Sequence, residues 1–283
     1  MIEQYLEQLW AELDAVGIRG RLRKRILLET EEHLRSDPNW RERFGPPALV
    51  ADRFADELAT TLTRRAAATA IVALALAGAG YTVLLALADR TTDFFVDSGL
   101  QLAFALSAAV LVVLAPQLAF VAGVLAALRT FRRRHAAVMP AEEIRLVRRQ
   151  TATALVAGLV TVAALAVLSV TKGDDAISLW IVAPLALPLT WAAVRFGRSA
   201  RLRPQAEGPA GDAYDDLGPL GRFRRRPWMF CLLTALLAAL AIFAAAALAG
   251  QPWAGLLNAL FESSFLCMGF WLFAEPLGLT PSR

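Results

Sequence analysis

The sequence predicts an all-α fold: a polytopic membrane protein with a small N-terminal cytoplasmic helical domain followed by six transmembrane helices. Three observations predict it. The first is a set of six long apolar stretches, Ala66 to Leu87, Gly99 to Leu128, Thr151 to Val170, Ile177 to Phe196, Met229 to Ala249 and Ala254 to Ala274, each close to or above the ~20 residues that cross a bilayer core. The second is charge segregation: of the 29 Lys and Arg residues, all but Arg90 and Lys172 fall on one side of that pattern. Arg129, Arg132, Arg133, Arg134, Arg145, Arg148 and Arg149 lie between spans 2 and 3, and Arg198, Arg201, Arg203, Arg222, Arg224, Arg225 and Arg226 between spans 4 and 5. The loops on the other side carry Asp89, Asp93, Asp97, Asp174 and Asp175. The positive-inside bias therefore places both termini in the cytoplasm. The third is composition: 57% hydrophobic and 19% charged residues, with a mean hydropathy of +0.49, are the proportions of a chain whose main solvent is lipid.

The remaining composition excludes several classes. A net charge of +4 would point to nucleic acid in a soluble protein, but here the excess sits in inner-face loops where topology requires it, so no direct nucleic-acid binding is expected. Cys231 and Cys267 both fall inside spans, which gives no disulfide framework and reads as packing. The first 65 residues contain no apolar run of signal-peptide type, so the first span is expected to act as an uncleaved anchor.

Residues 1–65 read as the cytoplasmic domain. Ile2, Tyr5, Leu6, Leu9, Leu13 and Val16 recur at steps of three and four, and Gly17 follows as the stop of a first helix. Leu22, Ile26, Leu27, Thr30, His33 and Leu34 form the stripe of a second, with Glu29, Glu31 and Glu32 on its exposed side. Asp37-Pro38 is an N-cap followed by the imino acid suited to the first helical position, and a short third helix is expected from Trp40 to Phe44. After Gly45-Pro46-Pro47, a fourth helix carries Val50, Phe54, Leu58 and Leu62 at four-residue spacing, with no stop before span 1. It is expected to continue into the membrane. The core of this domain is expected to include Leu9, Leu13, Ile26, Leu34, Phe44 and Phe54.

Two strings in this region, Glu31-Glu32-His33-Leu34 and Phe44-Gly45-Pro46-Pro47-Ala48-Leu49-Val50-Ala51, carry a resemblance. With Tyr5-Leu6, Leu9, Leu13, Arg21, Leu28, Glu29, Phe54 and Leu58, they resemble the small helical HAAS domain, related to the DUF1700 and permease-prefix groups. The resemblance covers about a quarter of the chain. It implies a cytoplasmic domain ahead of membrane helices, associated with PadR-type transcriptional regulators or, in the permease-prefix form, with export permeases. On that basis Glu29, Glu32, His33, Phe44, Gly45 and Pro46 are candidate partner-docking residues. His33 reads either as a pH-responsive group or as a packing residue at the end of the second helix, and the second reading is preferred. His135 belongs to a solvated basic loop.

Residues 66–283 read as the membrane domain, with a flexible cytoplasmic loop at 197–228 whose stretch from Pro204 to Gly221 is rich in Pro, Gly and Asp. Ala241, Ala245 and Ala249 allow close helix approach in span 5. Span 2 is long enough to require a tilt or a bend near Pro116, and Pro184 and Pro188 give span 4 a similar irregularity. Trp180, Trp191, Trp228, Trp253 and Trp271 fall near span ends as interface anchors. Arg64 to Ala73 and Arg148 to Ala157 match at seven of ten positions, both opening a span, which suggests an internal repeat; Arg225-Arg226 opens span 5 in the same way.

Glu262 is the ionisable residue lying deep within a span. With Asn258 one turn before it and Ser263 beside it, it forms a candidate intramembrane polar site. It reads either as a substrate, proton or cation site or as a protonated or hydrogen-bonded joint between helices, with Gln101, Gln117 or Thr234 as partners. No further carboxylate lies at that depth, which favours the joint.

An enzyme is not expected, nor a cofactor or metal: the sequence has no glycine-rich phosphate loop, no Cys-x-x-Cys and no metal-ligand spacing of its two His residues. Two classes remain. The first is a membrane-anchored signalling or scaffold protein of a bacterial cytoplasmic (inner) membrane, whose helical domain binds a regulator and whose membrane domain senses the bilayer or a lipophilic ligand. The second is an ABC-2-like export permease or permease-associated subunit, in which Pro140 to Leu146 would touch an ATPase. The partners considered are therefore the lipid bilayer, a PadR-type regulator, an ABC ATPase and a second copy of the chain.

Overall fold

The computed structural model describes residues 2–36, 44–87, 99–171, 177–208, 227–248 and 252–273. Among them eight α-helices follow one another: α1 (Ile2–Ala15), α2 (Gly20–Ser36), α3 (Pro47–Leu87), α4 (Gly99–Arg132), α5 (Ala141–Thr171), α6 (Ile177–Ser199), α7 (Pro227–Leu248) and α8 (Pro252–Phe273). The segment from Trp40 to Arg43, the aspartates of the short loops, Lys172, the Arg222 to Arg226 run and the C-terminal tail lie outside the described residues. Four helical stretches among those described are long and apolar enough to cross a membrane: Pro47–Gly80, Leu114–Arg132, Ala141–Val167 and Gly255–Leu272. The chain is a membrane protein whose described residues form an all-helical fold. Its outward side chains agree, since Leu76, Phe120, Leu187, Leu236, Leu257 and Trp271 are all exposed, a surface that hydrocarbon solvates and water does not.

α1 and α2 form a hairpin on the first half of α3. Gly17 ends α1 with φ of +89° and Gly20 opens α2 at +67°, backbone conformations that favour glycine. The Asp14 carboxylate then joins the two helices by accepting from Arg19 and Arg23, and the Arg23 guanidinium lies 3.7 Å over the Trp10 ring. Leu9, Leu13, Ile18, Ile26 and Leu34 are buried together. Phe44 and Phe54, expected in that core, are only partly buried and pack against it, as do Leu58 and Leu62. The reason lies in α3, where Ala51, Ala55 and Ala59 take the inward face. Close helix approach selects small side chains there, and the large ones on the same helix lie beside the contact.

α3 runs unbroken for 41 residues from this hairpin into the membrane-spanning half, as the missing stop signal predicts. Beyond it, α4 packs along α5, α3 against α6, α5 against α6, and α7 against α8. α4 and α6 carry Pro116, Pro184 and Pro188 within continuous helix. The Gly158 position is tight, because a Cβ there would meet a Leu74 methyl at 2.9 Å and a Leu189 methyl at 3.3 Å. In the two matched segments the burial pattern also repeats. Thr63, Ala66, Ala67, Ala70 and Ala73 are buried in the first, and Val147, Gln150, Thr151, Ala154 and Ala157 at the corresponding places in the second.

Candidate functional site

The basic ends of α4, α5 and α6 meet the first half of α3, and one polar stripe of α3 holds them. Asp56, Thr60, Thr63 and Arg64 follow the spacing that puts residues on one side of a helix. The Asp56 Oδ1 accepts from the backbone N–H of Gln205 at 2.6 Å and of Ala206 at 3.0 Å. Thr60 Oγ1 accepts from the Met139 N–H at 3.0 Å. The Arg64 guanidinium donates to the carbonyls of Arg133 and of Ala136, the latter at 2.7 Å. Arg148, the residue matching Arg64 in the second of the two matched segments, donates through Nη1 to the Leu202 carbonyl at 2.9 Å and through Nε to Thr63 Oγ1 at 3.3 Å. Each matched arginine thus grips the backbone just past the helix that follows its own.

The segment 201–208 becomes a strap. Its Arg203 N–H donates to the Val16 carbonyl at 3.2 Å, and its Ala206 carbonyl accepts from Ala141 N–H at 2.8 Å. A Cβ at Gly17 would lie 2.5 Å from the Arg201 carbonyl oxygen, so only glycine admits this approach. The sequence predicts a flexible loop over 197–228. Its described start is instead helical to Ser199 and then bonded to α1, α3 and α5, while 209–226 lie outside the described residues.

Charge is also buried at the ends of α4 and α5. Arg129 and Glu143 are each 1% exposed and Gln150 is fully buried, and the Glu143 carboxylate forms an ion pair with Arg133 Nε at 3.2 Å. A buried carboxylate must be paired in this way, because ionised groups lose several kcal/mol of hydration on leaving water. Next to it, a groove of about 870 Å³ runs between α5 and the strap, lined by Glu142, Arg145, Arg148, Arg203 and Glu207 among others. Mixed charge and backbone-directed bonds make this a mechanical joint: it couples α1, α3, α5 and the exit of α6. The signal that would have revealed it is the Asp56, Thr60, Thr63, Arg64 stripe, which the apolar spacing of Val50, Phe54, Leu58 and Leu62 overshadowed.

The sequence-predicted residues are placed as follows. Glu29, Glu32 and His33 are exposed on α2, Pro46 is exposed, and Phe44 and Gly45 are half-buried. The His33 and Phe44 ring centroids lie 6.5 Å apart, tilted by 39°. Gly45 has φ of +70°, and its carbonyl accepts from the Tyr5 hydroxyl at 3.1 Å, which ties the Phe44-Gly45-Pro46 turn to α1. Burial pushes the Tyr5 phenol above its ordinary pKa. Asn258, Glu262 and Ser263 all lie on α8, where Ser263 donates to the Ala235 carbonyl of α7 at 3.2 Å; the side chains of Asn258, Glu262, Gln101 and Thr234 lie outside those described. Cys231 and Cys267 form no disulfide among the described residues. His135 is exposed, with Arg134 Nε donating to its Nε2 at 2.9 Å.

The chain matches no protein-family model, no curated protein and no solved structure.

Proposed function

We propose that this chain is a membrane-anchored signalling or scaffold protein, with six spans in the cytoplasmic (inner) membrane, both termini inside, and an N-terminal HAAS-like unit that docks a regulator. The supporting observation is α3, a single helix of 41 residues. It is at once the floor of the α1–α2 hairpin, the source of two of the strap's bonds through Asp56 and a wall of the membrane-spanning half. Movement at either end of such a rod is transmitted to the other, since a helix resists compression and its bonded neighbours must follow. The docking face is the outer side of α2, which packs on α1 and leaves Leu28 66% exposed among exposed Glu29, Glu32 and His33. Lys24 and Arg25 are exposed one turn before Leu28, with Arg25 paired to Glu29 at 2.7 Å. This apolar residue in a rim of both charges suits a partner with an apolar pocket and a rim of mixed charge, and the resemblance suggests a PadR-type regulator.

The permease reading has less support. It needs Pro140 to Leu146 as a free surface for an ATPase, yet Glu143 and Ile144 are buried and Ala141 is bonded to the strap.

The partner test is co-purification of the full chain in detergent with the PadR-type regulator, or the ABC ATPase, encoded beside it. Retention of the regulator, lost in Leu28→Glu, is the expected result; retention of the ATPase alone, indifferent to Leu28→Glu, would favour export. Topology is tested by single cysteines at Ser98, Ala176 and Ala210 in a variant lacking Cys231 and Cys267. The first two should react with an impermeant thiol reagent in intact cells and the third should not. For the intramembrane candidate, Glu262→Gln should leave protein level unchanged; loss of a measurable flux from a folded variant would sink the signalling reading.

A further inference from the structure

Midway along the spans α3, α4, α5 and α6 stand apart around a cavity of about 400 Å³. Leu74 and Gly78 of α3, Pro116 of α4, Gly158 of α5 and Leu185 and Leu189 of α6 line it. Thr161 is the hydroxyl-bearing side chain of its lining, and that hydroxyl is already spent on the Ala157 carbonyl at 2.9 Å. Water needs two to four polar partners to occupy a cavity, and these walls do not offer them. At its rim stands Phe120, 67% exposed on the outward face of α4, so the cavity adjoins the hydrocarbon that surrounds the helices. Its size falls within the range of small-molecule sites.

We propose that this cavity binds a single saturated hydrocarbon chain, the acyl tail of a membrane lipid or of a free fatty acid. The walls give such a chain dispersion contacts on several sides at once, and an unfilled void forfeits those contacts. Gly78 keeps the space open: no atom lies within 4 Å of where its Cβ would stand. Tight packing at Gly158, against Leu74 and Leu189, means an occupant that shifts Leu74 also moves α3, the helix that bears Asp56. The site stands independently of any partner docked on α2, so its test and the partner test fail separately.

The experiment uses the full chain in nanodiscs with two probes, a fatty acid and a phosphatidylcholine, each carrying a diazirine near the methyl end of a chain. Label is mapped by peptide mass spectrometry. The expected result is label on the cavity segments of α3, α4 and α5 that excess unlabelled palmitic acid, or unlabelled phosphatidylcholine, removes several-fold, while label on outward residues such as Leu257 persists. Gly78→Leu, whose Cβ has no atom within 4 Å and whose longer side chain takes up space in the cavity lining, should lower cavity label by a similar factor. Labelling by the free acid alone identifies that source, and labelling by the phospholipid alone identifies a lipid tail. Cavity label that neither competition nor Gly78→Leu reduces, or no cavity label from either probe, overturns the proposal.

Discussion

At the polar end of α3, Asp56, Thr60 and Arg64 are bonded to particular backbone groups, whereas further along the same helix meets its neighbours through Ala70, Ala73 and Leu74, packed against α5 and α6. The first region fixes position by direction, because a hydrogen bond weakens steeply with angle. The second fixes it by distance of approach, because in hydrocarbon no hydrophobic force drives helices together and fit decides. One end of this helix is therefore specified group by group, and the other by close fit at some positions, as at Gly158, beside the cavity between its neighbours.

Equal truncations should separate the two regions most. Leu9 is fully buried in the α1–α2–α3 core, so Leu9→Ala should cost about 2–5 kcal/mol. Leu76, outward-facing and 60% exposed, should lose under ~0.5 kcal/mol on the same change. Thermal unfolding in detergent micelles measures both, and similar losses would erase the contrast. Asp56→Ala comes next. It removes a charged acceptor from two backbone N–H groups, each such bond contributing roughly 1.5–3 kcal/mol, and it should release the strap. Limited trypsin digestion should then cut after Arg201 faster than in the parent, and an unchanged cleavage rate would show that the strap is held without it.

Tyr5→Phe sharpens the comparison at the lowest amplitude. It deletes the bond to the Gly45 carbonyl, a loss of about 0.5–1.5 kcal/mol. The sign of its pH dependence follows from the raised phenol pKa. The Tyr5 environment contributes fully below the unfolded value near 10 and loses its contribution as pH rises through the higher folded value. The stability gap between parent and Tyr5→Phe should therefore be constant from neutral pH to about 9 and shrink above 10. A gap that stays constant to pH 11 would show that the phenol is not held in its neutral form.

Much of the helical framework was legible, because apolar spacing and glycine stops are local signals. Gly17 ends α1, Ile26 and Leu34 turn inward, and α3 runs on without a break. The inward face of α3 was misread for a physical reason. Phe54, Leu58 and Leu62 are the larger side chains at regular spacing, yet the closest approach belongs to Ala51, Ala55 and Ala59. The strap was illegible because most of its bonds use backbone groups, which every residue carries and no sequence marks. Arg129 and Arg148, read as topological charge, proved to be buried and half-buried, and Arg148 bonds to the strap, since a count of loop arginines says nothing of which ones fold back.

The contact at Gly17 also sets an order in time. Its neighbour, the Arg201 carbonyl, leaves the ribosome roughly 180 residues later, a delay on the order of 10 to 40 s at ordinary synthesis rates. Throughout that interval the notch beside Gly17 stands open, and it can close only once α3 to α6 have been made and the chain has returned past Ser199. Closure thus records completed synthesis of those helices, and a nascent chain stalled before Ser199 would remain distinguishable, at its first twenty residues, from a finished one.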